Sequence, residues 1–221
     1  MKTDRPPLTF AQYSRIHSIC ASLLAHFGQD NGTRCLFFAI CGAAILREHY
    51  GMAARAVCGS GGVVVHRHEG APLITAWGVA TPDGRAIATP DHFHCWVECD
   101  EWVIDFSAPT YGLGLELSSA AKDVALPPTP RKMFQKPVAQ VGGRFDQLTR
   151  VGDAALWPDQ SLTGELVGKA IAPPSVASLV RLACVWHQPV PDAMPASVAI
   201  MDDRGTVSEI PLIEPELAGA W

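Results

Sequence analysis

The spacing of apolar residues predicts a helix near the start of the chain. Between positions 16 and 27, apolar side chains recur at intervals of three and four, which places them on one face of a helix. Thr9, followed three residues later by Gln12, forms the capping-box pattern of a helix start. Gly28 is typical of a helix end, because glycine readily adopts the left-handed conformation that closes the last turn. We therefore expect a first helix between Thr9 and Gly28.

A second predicted helix follows a short polar segment. Residues 29–33 have a turn-forming composition, and Thr33 can cap a helix that runs to about Tyr50, with Gly51 as its end. Apolar residues occupy most sides of this helix, so we expect it to be central and buried. Cys35 falls in its first turn.

From Arg55 onwards the pattern changes to short β-rich runs. These runs are rich in valine, isoleucine and aromatic residues, and turn-forming segments separate them. The glycine-rich segment GSGG, residues 59–62, is one of the predicted turns. The pattern predicts an antiparallel meander that packs on the second helix, in an α+β fold.

The second half of the chain carries weaker signals. Residues 108–150 are rich in proline and glycine, which predicts a long irregular excursion with one helix near 116–124. Apolar spacing predicts a helix around 174–186, and the turn sequence DDRG at 202–205 predicts a final β-hairpin. Two arrangements stay open for residues 150–221: a small subdomain or an extension of the sheet.

Composition favours an ordinary globular chain and excludes several partners. The 221 residues are 48% hydrophobic and 18% charged, with a net charge of −5, which suits one domain spanning residues 1–221. No block of like charges is present, so we expect neither a nucleic-acid partner nor an anionic membrane surface.

The first ten residues include Asp4 and two prolines, unlike a secretory signal, and no apolar run reaches the roughly 18 residues of a membrane span. We therefore expect a cytoplasmic protein.

The cysteines divide into ordinary buried thiols and one candidate nucleophile. Most of the seven are expected to be free and buried in a reducing compartment. Cys35 differs, because a helix N-terminus favours the thiolate, which is the nucleophilic form of cysteine. Cys41 lies about two turns further along the same helix, where that help is absent. Position therefore favours Cys35 as a nucleophile.

A candidate base and its carboxylate partner lie in the stretch HFHCWVECDEWVIDF. If Asp100 and Glu101 form a two-residue hairpin turn, His94 and Asp105 share one face of the sheet, because side chains alternate faces along a strand. The two residues are then diagonal neighbours with Cβ atoms about 7 Å apart. An imidazole oriented by a carboxylate can take the proton of a thiol. The spacing therefore predicts a triad of Cys35, His94 and Asp105.

Two motifs in this region carry a resemblance to a known group of enzymes. The pattern C-x3-A … LR-x3-G-x3-R-x-V-x-G is matched by Cys35, Ala39, Leu46, Arg47, Gly51, Arg55, Val57 and Gly59. The pattern H-x-W-x-E … W-x-x-D is matched by His94, Trp96, Glu98, Trp102 and Asp105. Together they resemble the core signature of the transglutaminase-like cysteine enzymes, within the papain-like clan. The resemblance implies a papain-like α+β fold whose catalytic core spans residues 29–107.

The resemblance also implies roles for residues around the triad. Gln29 lies six residues before the nucleophile, where the wider clan places a glutamine. Its side-chain amide and the backbone N–H of Cys35 would form an oxyanion hole. We expect Trp96 to be a core residue beside the imidazole and His92 to lie in a loop near the mouth of the site. No cofactor and no metal is implied.

The chemistry implied by such a triad is acyl transfer through a thioester. The expected substrate is a peptide, an amide or a thioester, and the first expectation is hydrolysis by a peptidase or amidase. Transglutamination and acetyl transfer from a thioester donor stay open as variants of the same chemistry.

Two alternatives compete with the thiol hypothesis. HRH at 66–68, HFHC at 92–95, Cys58 and Cys99 provide enough histidine and cysteine to hold zinc, but the sequence has no C-x2-C pair and no H-x3-H pair. We therefore expect no metal site. The remaining alternative is a non-enzymatic or metal-binding domain that retains the papain-like fold.

Overall fold

A computed structural model describes residues 5–28, 34–113 and 128–221. The first helix, α1 (Phe10–Phe27), begins at the predicted capping box, with the Gln12 backbone N–H donating to Thr9 Oγ1 and the Thr9 N–H donating to Gln12 Oε1. It ends at Gly28, whose φ of +63° is left-handed. Both ends of the predicted helix are therefore confirmed.

The second helix, α2 (Arg34–Tyr50), is the buried centre of the molecule. Eleven of its seventeen residues are buried, which confirms the prediction made from its apolar pattern. Gly51, with a φ of +63°, follows its last turn. Gly42 allows the helix to approach the ring of Phe106 closely, because a Cβ atom at this glycine would lie 2.2 Å from a ring carbon. The predicted turn at 29–33 and the predicted helix at 116–124 lie outside the described residues.

An antiparallel sheet of six strands packs against α2. The strands are β1 (Ala54–His68), β2 (Ala71–Trp77), β5 (His94–Cys99), β6 (Trp102–Asp105), β7 (Phe134–Pro137) and β8 (Ala154–Pro158). Their order is β2-β1-β5-β6-β7, with β8 also paired to β1. The short strands β3 (Val79–Ala80) and β4 (Ala86–Ile87) form a separate two-stranded sheet. The chain is therefore α+β, as the sequence pattern predicts.

The glycine-rich segment 59–62 is not a turn, contrary to the sequence-based prediction. It lies inside the fifteen-residue strand β1, which is continuous across it. A Cβ atom at Gly59 would lie 2.1 Å from the carbonyl oxygen of Trp157, and one at Gly61 would lie 2.3 Å from that of Ala155. The glycines are needed because β8 approaches β1 too closely for side chains.

The last third of the chain adds two helices, one sheet strand and a hairpin. Besides the sheet strand β8, the elements are α3 (Gln160–Ile171), α4 (Pro174–Trp186), β9 (Ser197–Met201) and β10 (Val207–Pro211). The predicted helix at 174–186 and the predicted terminal hairpin are confirmed, whereas β8 and α3 were not predicted. β8 extends the main sheet, α4 packs on α2, and the β9–β10 hairpin forms its own sheet beside α1.

Two of the seven cysteines form a disulfide. Cys58 on β1 and Cys95 on β5 are directly opposite each other in the ladder, with Cα atoms 4.2 Å apart. The other five cysteines are free and buried, in agreement with the expectation that most of the thiols are free.

Within the described part of the chain, no single helix has the length and apolar character needed to cross a membrane. Only α3 and α4 taken together reach that length and apolarity, and a bend of 91° separates them.

Candidate active site

The β5–β6 hairpin brings His94 and Asp105 together. The strands pair in the register of a two-residue turn at Asp100 and Glu101, and Asp100 adopts a left-handed φ of +52°. His94 and Asp105 consequently lie on the same face, where Nε2 of the imidazole is hydrogen-bonded to Oδ2 of the carboxylate. The predicted contact between these two side chains is therefore present.

Asp105 is the most fully hydrogen-bonded group in the site. Its Oδ1 accepts hydrogen bonds from the Ser107 backbone N–H at 2.8 Å and the Ser107 hydroxyl at 2.6 Å. Its Oδ2 accepts one from the Tyr111 hydroxyl at 2.5 Å in addition to the bond with His94. Burial alone would raise the pKa of Asp105, but His94, Ser107 and Tyr111 outweigh burial and lower it. The carboxylate is therefore ionised at neutral pH.

His94 is held in its charged form by its neighbours. Burial would lower the pKa of His94, but the charge and hydrogen bond of Asp105, together with the hydrogen bond and charge of Cys35, raise it to about 10. Because Nε2 is bonded to Asp105, Nδ1 is the ring nitrogen that is available to the thiol. An imidazolium flanked by a carboxylate and a sulfur can hold and return a proton during a reaction.

Cys35 is the second residue of α2 and is only 9% exposed. Its side chain lies close enough to His94 to help raise the pKa of the imidazole, so the structure brings together all three residues of the predicted triad. The first N–H groups of a helix have no acceptor within the helix, so the backbone N–H of Cys35 suits an oxyanion. The other predicted oxyanion donor, Gln29, lies outside the described residues.

An aromatic enclosure surrounds the imidazole. The indole of Trp77, at the end of β2, stacks on His94 with ring centroids 3.8 Å apart and planes 11° apart. The ring of Tyr111 meets His94 edge-on, with centroids 5.8 Å apart. Together they leave His94 only 3% exposed. The two rings therefore shield the Asp105–His94 pair from water.

The two residues expected near the site differ in their placement. Trp96 is 1% exposed and its ring lies beside the imidazole, with centroids 6.3 Å apart, as predicted for a core residue next to His94. His92 is exposed, and its backbone is paired with that of Thr89 in a tight turn. It therefore stands in the segment that leads into β5.

Sequence reasoning missed three residues of the site. Trp77 comes from the neighbouring hairpin, and no local signal links it to His94. Tyr111 lies six residues beyond Asp105, in a segment that was predicted only as an irregular excursion. Ser107 lies two residues after Asp105, so strand alternation puts both side chains on one face, and that signal could have identified Ser107 as a partner of the carboxylate.

The residues considered for zinc do not form one site within the described ranges. Cys58 is bonded to Cys95 in the disulfide, and His66 lies seven residues along β1 from the position that pairs with His94. At the rise of a strand, seven residues span about 23 Å. Among the described histidines, cysteines and carboxylates, no group of three is arranged to hold a metal ion.

Comparisons with known proteins place the chain in a family. A crystal structure described as that of genomics APC5867 has the same fold, with a TM-score of 0.80, 26% sequence identity and full coverage of both chains. No curated protein matches the chain. A family model described as "Protein of unknown function (DUF2026)" matches residues 9–221. The chain therefore belongs to the DUF2026 family.

Proposed function

We propose that the chain is a thiol-dependent acyl-transfer enzyme, with hydrolysis of an amide or ester as its reaction. The observation that carries this proposal is the imidazole of His94, which is hydrogen-bonded to Asp105 and has Cys35 as a neighbour that helps raise its pKa. A sulfur at a helix N-terminus, an imidazole and an ionised carboxylate are the groups that nucleophilic acyl transfer requires. The resemblance to transglutaminase-like cysteine enzymes agrees with this assignment.

In the first half of the proposed reaction, the nucleophile is the Cys35 thiolate, whose proton already resides on the imidazolium of His94. The thiolate then attacks the carbonyl carbon of the substrate, and the carbonyl oxygen becomes an oxyanion near the N-terminus of α2. The imidazolium next donates its proton to the leaving amine or alcohol as the carbon–nitrogen or carbon–oxygen bond breaks. The acyl group stays on the sulfur as a thioester.

In the second half, His94 acts as a base towards water. The water oxygen attacks the thioester carbon while its proton passes to the imidazole. The carbon–sulfur bond breaks, the acid leaves, and His94 keeps the proton, which restores the imidazolium beside the Cys35 thiolate. Asp105 stays ionised throughout and stabilises the imidazolium, as the partner carboxylate does in other triads.

The proposal is tested by trapping the thioester. The purified protein is mixed with a panel of nitrophenyl esters of short carboxylic acids, and its intact mass is measured within seconds. We expect a mass increase equal to one acyl group, located on Cys35 by peptide mapping, and release of nitrophenol that falls at least about 10³-fold in Cys35→Ala.

Cys41→Ala is the matched control, because Cys41 lies on the same helix, is fully buried and makes no contact with His94 in the described structure. This variant should retain both the thioester and the turnover. Acylation of several cysteines at similar rates, or equal turnover in Cys35→Ala, would leave a non-catalytic binding domain as the better hypothesis.

A further inference from the structure

A small pocket is lined in part by two residues that lie on either side of Cys35 in the helix α2. Its volume is about 150 Å³, and a cavity of this size holds a group as large as benzene. Its wall includes Arg34, which directly precedes Cys35, and Phe38, one helical turn after Cys35. Pro109 and Thr110, from the short 3-10 helix that follows the hairpin, form another part of the wall. Because Cβ atoms one turn apart are about 5–6 Å apart, a short acyl chain on the sulfur can reach the pocket.

Two arginines bring positive charge to the pocket. Arg34 and Arg131 both line it, and none of the described residues in its wall is acidic. A guanidinium is always charged and offers five N–H donors in a fixed plane, so an arginine that also interacts with another protein group can still bind an anion. The rest of the wall is mostly apolar, which strengthens such an interaction.

The remaining polar group of the pocket, His17, is neutral. Its Nδ1 lies 2.6 Å from the carbonyl oxygen of Phe106, which can only accept, and its ring stacks on Phe38 with centroids 5.3 Å apart. Burial lowers the pKa of His17 to about 4, and the charge of Arg131 contributes in the same direction. Arg131 itself lines the pocket. At neutral pH the pocket therefore holds two arginine charges and an uncharged imidazole.

We propose that this pocket binds an anionic group of the substrate, a carboxylate or a phosphate, while the reacting carbonyl of the same molecule lies at Cys35. The inference rests on the proposed function and specifies its substrate class. The preferred substrates are amides or esters of short acyl chains, about five carbons long, whose far end is negatively charged. Arg131 and Arg34 are the residues that recognise the charge, and Phe38 supports the chain between the two ends.

The test compares two 4-nitroanilides that differ only at the far end of the acyl chain. Glutaryl nitroanilide ends in a carboxylate, and pentanoyl nitroanilide ends in a methyl group, with five carbons in each. We expect wild-type kcat/KM to be at least about tenfold higher for the glutaryl compound, and Arg131→Gln to reduce this ratio by about 10- to 100-fold, as loss of a charged hydrogen bond does.

Arg204→Gln serves as the matched loss of one positive charge. Arg204 lies in the exposed turn between β9 and β10 and does not line the pocket. The pocket residue Ile213 lies nine positions further along the chain, and most of that interval is the extended strand β10. This variant should keep the wild-type ratio. A ratio near one in the wild type, or an unchanged ratio in Arg131→Gln, would overturn the inference while leaving the thiol chemistry in place.

A binding measurement separates the pocket from the chemistry. Titration of glutarate and of inorganic phosphate into Cys35→Ala protein should give measurable heat, and Arg131→Gln in the same background should weaken the tighter of the two anions at least about tenfold. If neither nitroanilide is cleaved but this binding is seen, the anion pocket stands and the proposed function fails. If neither anion binds, the pocket assignment is wrong.

Discussion

At the scale of single residues, the site is organised around the carboxylate of Asp105. The carboxylate accepts hydrogen bonds from Ser107 and Tyr111, while the Tyr13 hydroxyl is bonded to the backbone carbonyl of the same residue. These bonds fix the carboxylate in place and keep it ionised although it is only 1% exposed. His94 therefore has a fixed partner on one side and the sulfur on the other.

The pH dependence of turnover tests the role of Asp105. The pKa of His94 is raised to about 10, so the imidazolium that protonates the leaving group persists through neutral pH and is lost as the pH rises through 10. In Asp105→Asn, the charge that chiefly raises the pKa of His94 is gone, and burial then lowers this pKa. We expect the alkaline limb of kcat/KM to move to lower pH, and the rate at neutral pH to fall by about 10²- to 10⁴-fold. An alkaline limb that stays near pH 10 in the variant would contradict this role.

Two tyrosines that contact Asp105 provide a matched pair. Tyr111 donates to the charged carboxylate and Tyr13 to the neutral backbone carbonyl. Because hydrogen bonds to charged groups are worth about 1.5–3 kcal/mol and neutral ones about 0.5–1.5 kcal/mol, urea unfolding at pH 7 should show a larger loss of stability in Tyr111→Phe than in Tyr13→Phe. We also expect only Tyr111→Phe to shift the alkaline limb of kcat/KM. Equal effects of the two substitutions on both measurements would show that the carboxylate contact has no special role.

At the scale of elements, the parts with local signals were predicted well. The capping box of α1, the apolar pattern of α2 and the two-residue turn at Asp100 and Glu101 depend on residues close together in sequence. Strand alternation then placed His94 and Asp105 on one face, and the helix start placed Cys35. The sequence could therefore identify the three candidate catalytic residues, although it could not supply Trp77, which reaches His94 only through the pairing of β2 with β1.

The packing of α2 on the sheet depends on one glycine. An added methyl group at Gly42 would lie 2.2 Å from the ring of Phe106, which is fully buried and follows Asp105 directly. Gly42→Ala should therefore destabilise the protein by about 1–3 kcal/mol and displace the helix that carries Cys35. Gly164→Ala, in α3 with open space around it, should stabilise by up to about 1 kcal/mol. The two variants are compared by urea unfolding, and a neutral effect of Gly42→Ala would contradict the close approach.

At the scale of the whole molecule, the sequence-based predictions failed where pairing is non-local. The segment 59–62 was predicted as a turn because glycines usually interrupt strands, yet β1 runs through it. The reason lies about a hundred residues away, since β8 (Ala154–Pro158) pairs with this part of β1 and needs the space that glycine leaves. No pattern near residue 60 encodes that partner. β7 and β8 were missed for the same reason, because the strands that they pair with, β6 and β1, lie far away in the sequence.

The stability of the whole fold should fall in mild acid. Burial lowers the pKa of both His17 and His187 to about 4, whereas the unfolded chain takes up these protons near pH 6.5. The contribution of these two histidines to the free energy of unfolding should thus be constant above pH 6.5. It should fall as the pH drops from 6.5 to 4. The slope approaches about 1.4 kcal/mol per pH unit for each histidine. His94 contributes no slope in this range, because it is protonated in both states.

His187→Gln isolates one of the two contributions. His187 is fully buried, and its Nε2 is hydrogen-bonded to the Tyr50 hydroxyl at 2.9 Å. Glutamine can accept that hydrogen bond but cannot be protonated, so the variant should lose about half of the slope between pH 6.5 and 4. Urea titrations at several pH values measure it. An unchanged slope would show that His187 takes up its proton at the same pH in both states.

The central claim is that His94 activates Cys35, and alkylation of that sulfur tests it most directly. Cys35 is the most exposed of the five free cysteines in the described structure, so faster labelling than the others would not suffice. The informative comparison is the rate at which iodoacetamide modifies Cys35 at pH 6 in the wild type and in His94→Gln, followed by peptide mass spectrometry. We predict that the variant reacts at least about tenfold more slowly, because the thiolate loses its imidazolium partner. Equal rates in the two proteins would contradict the account.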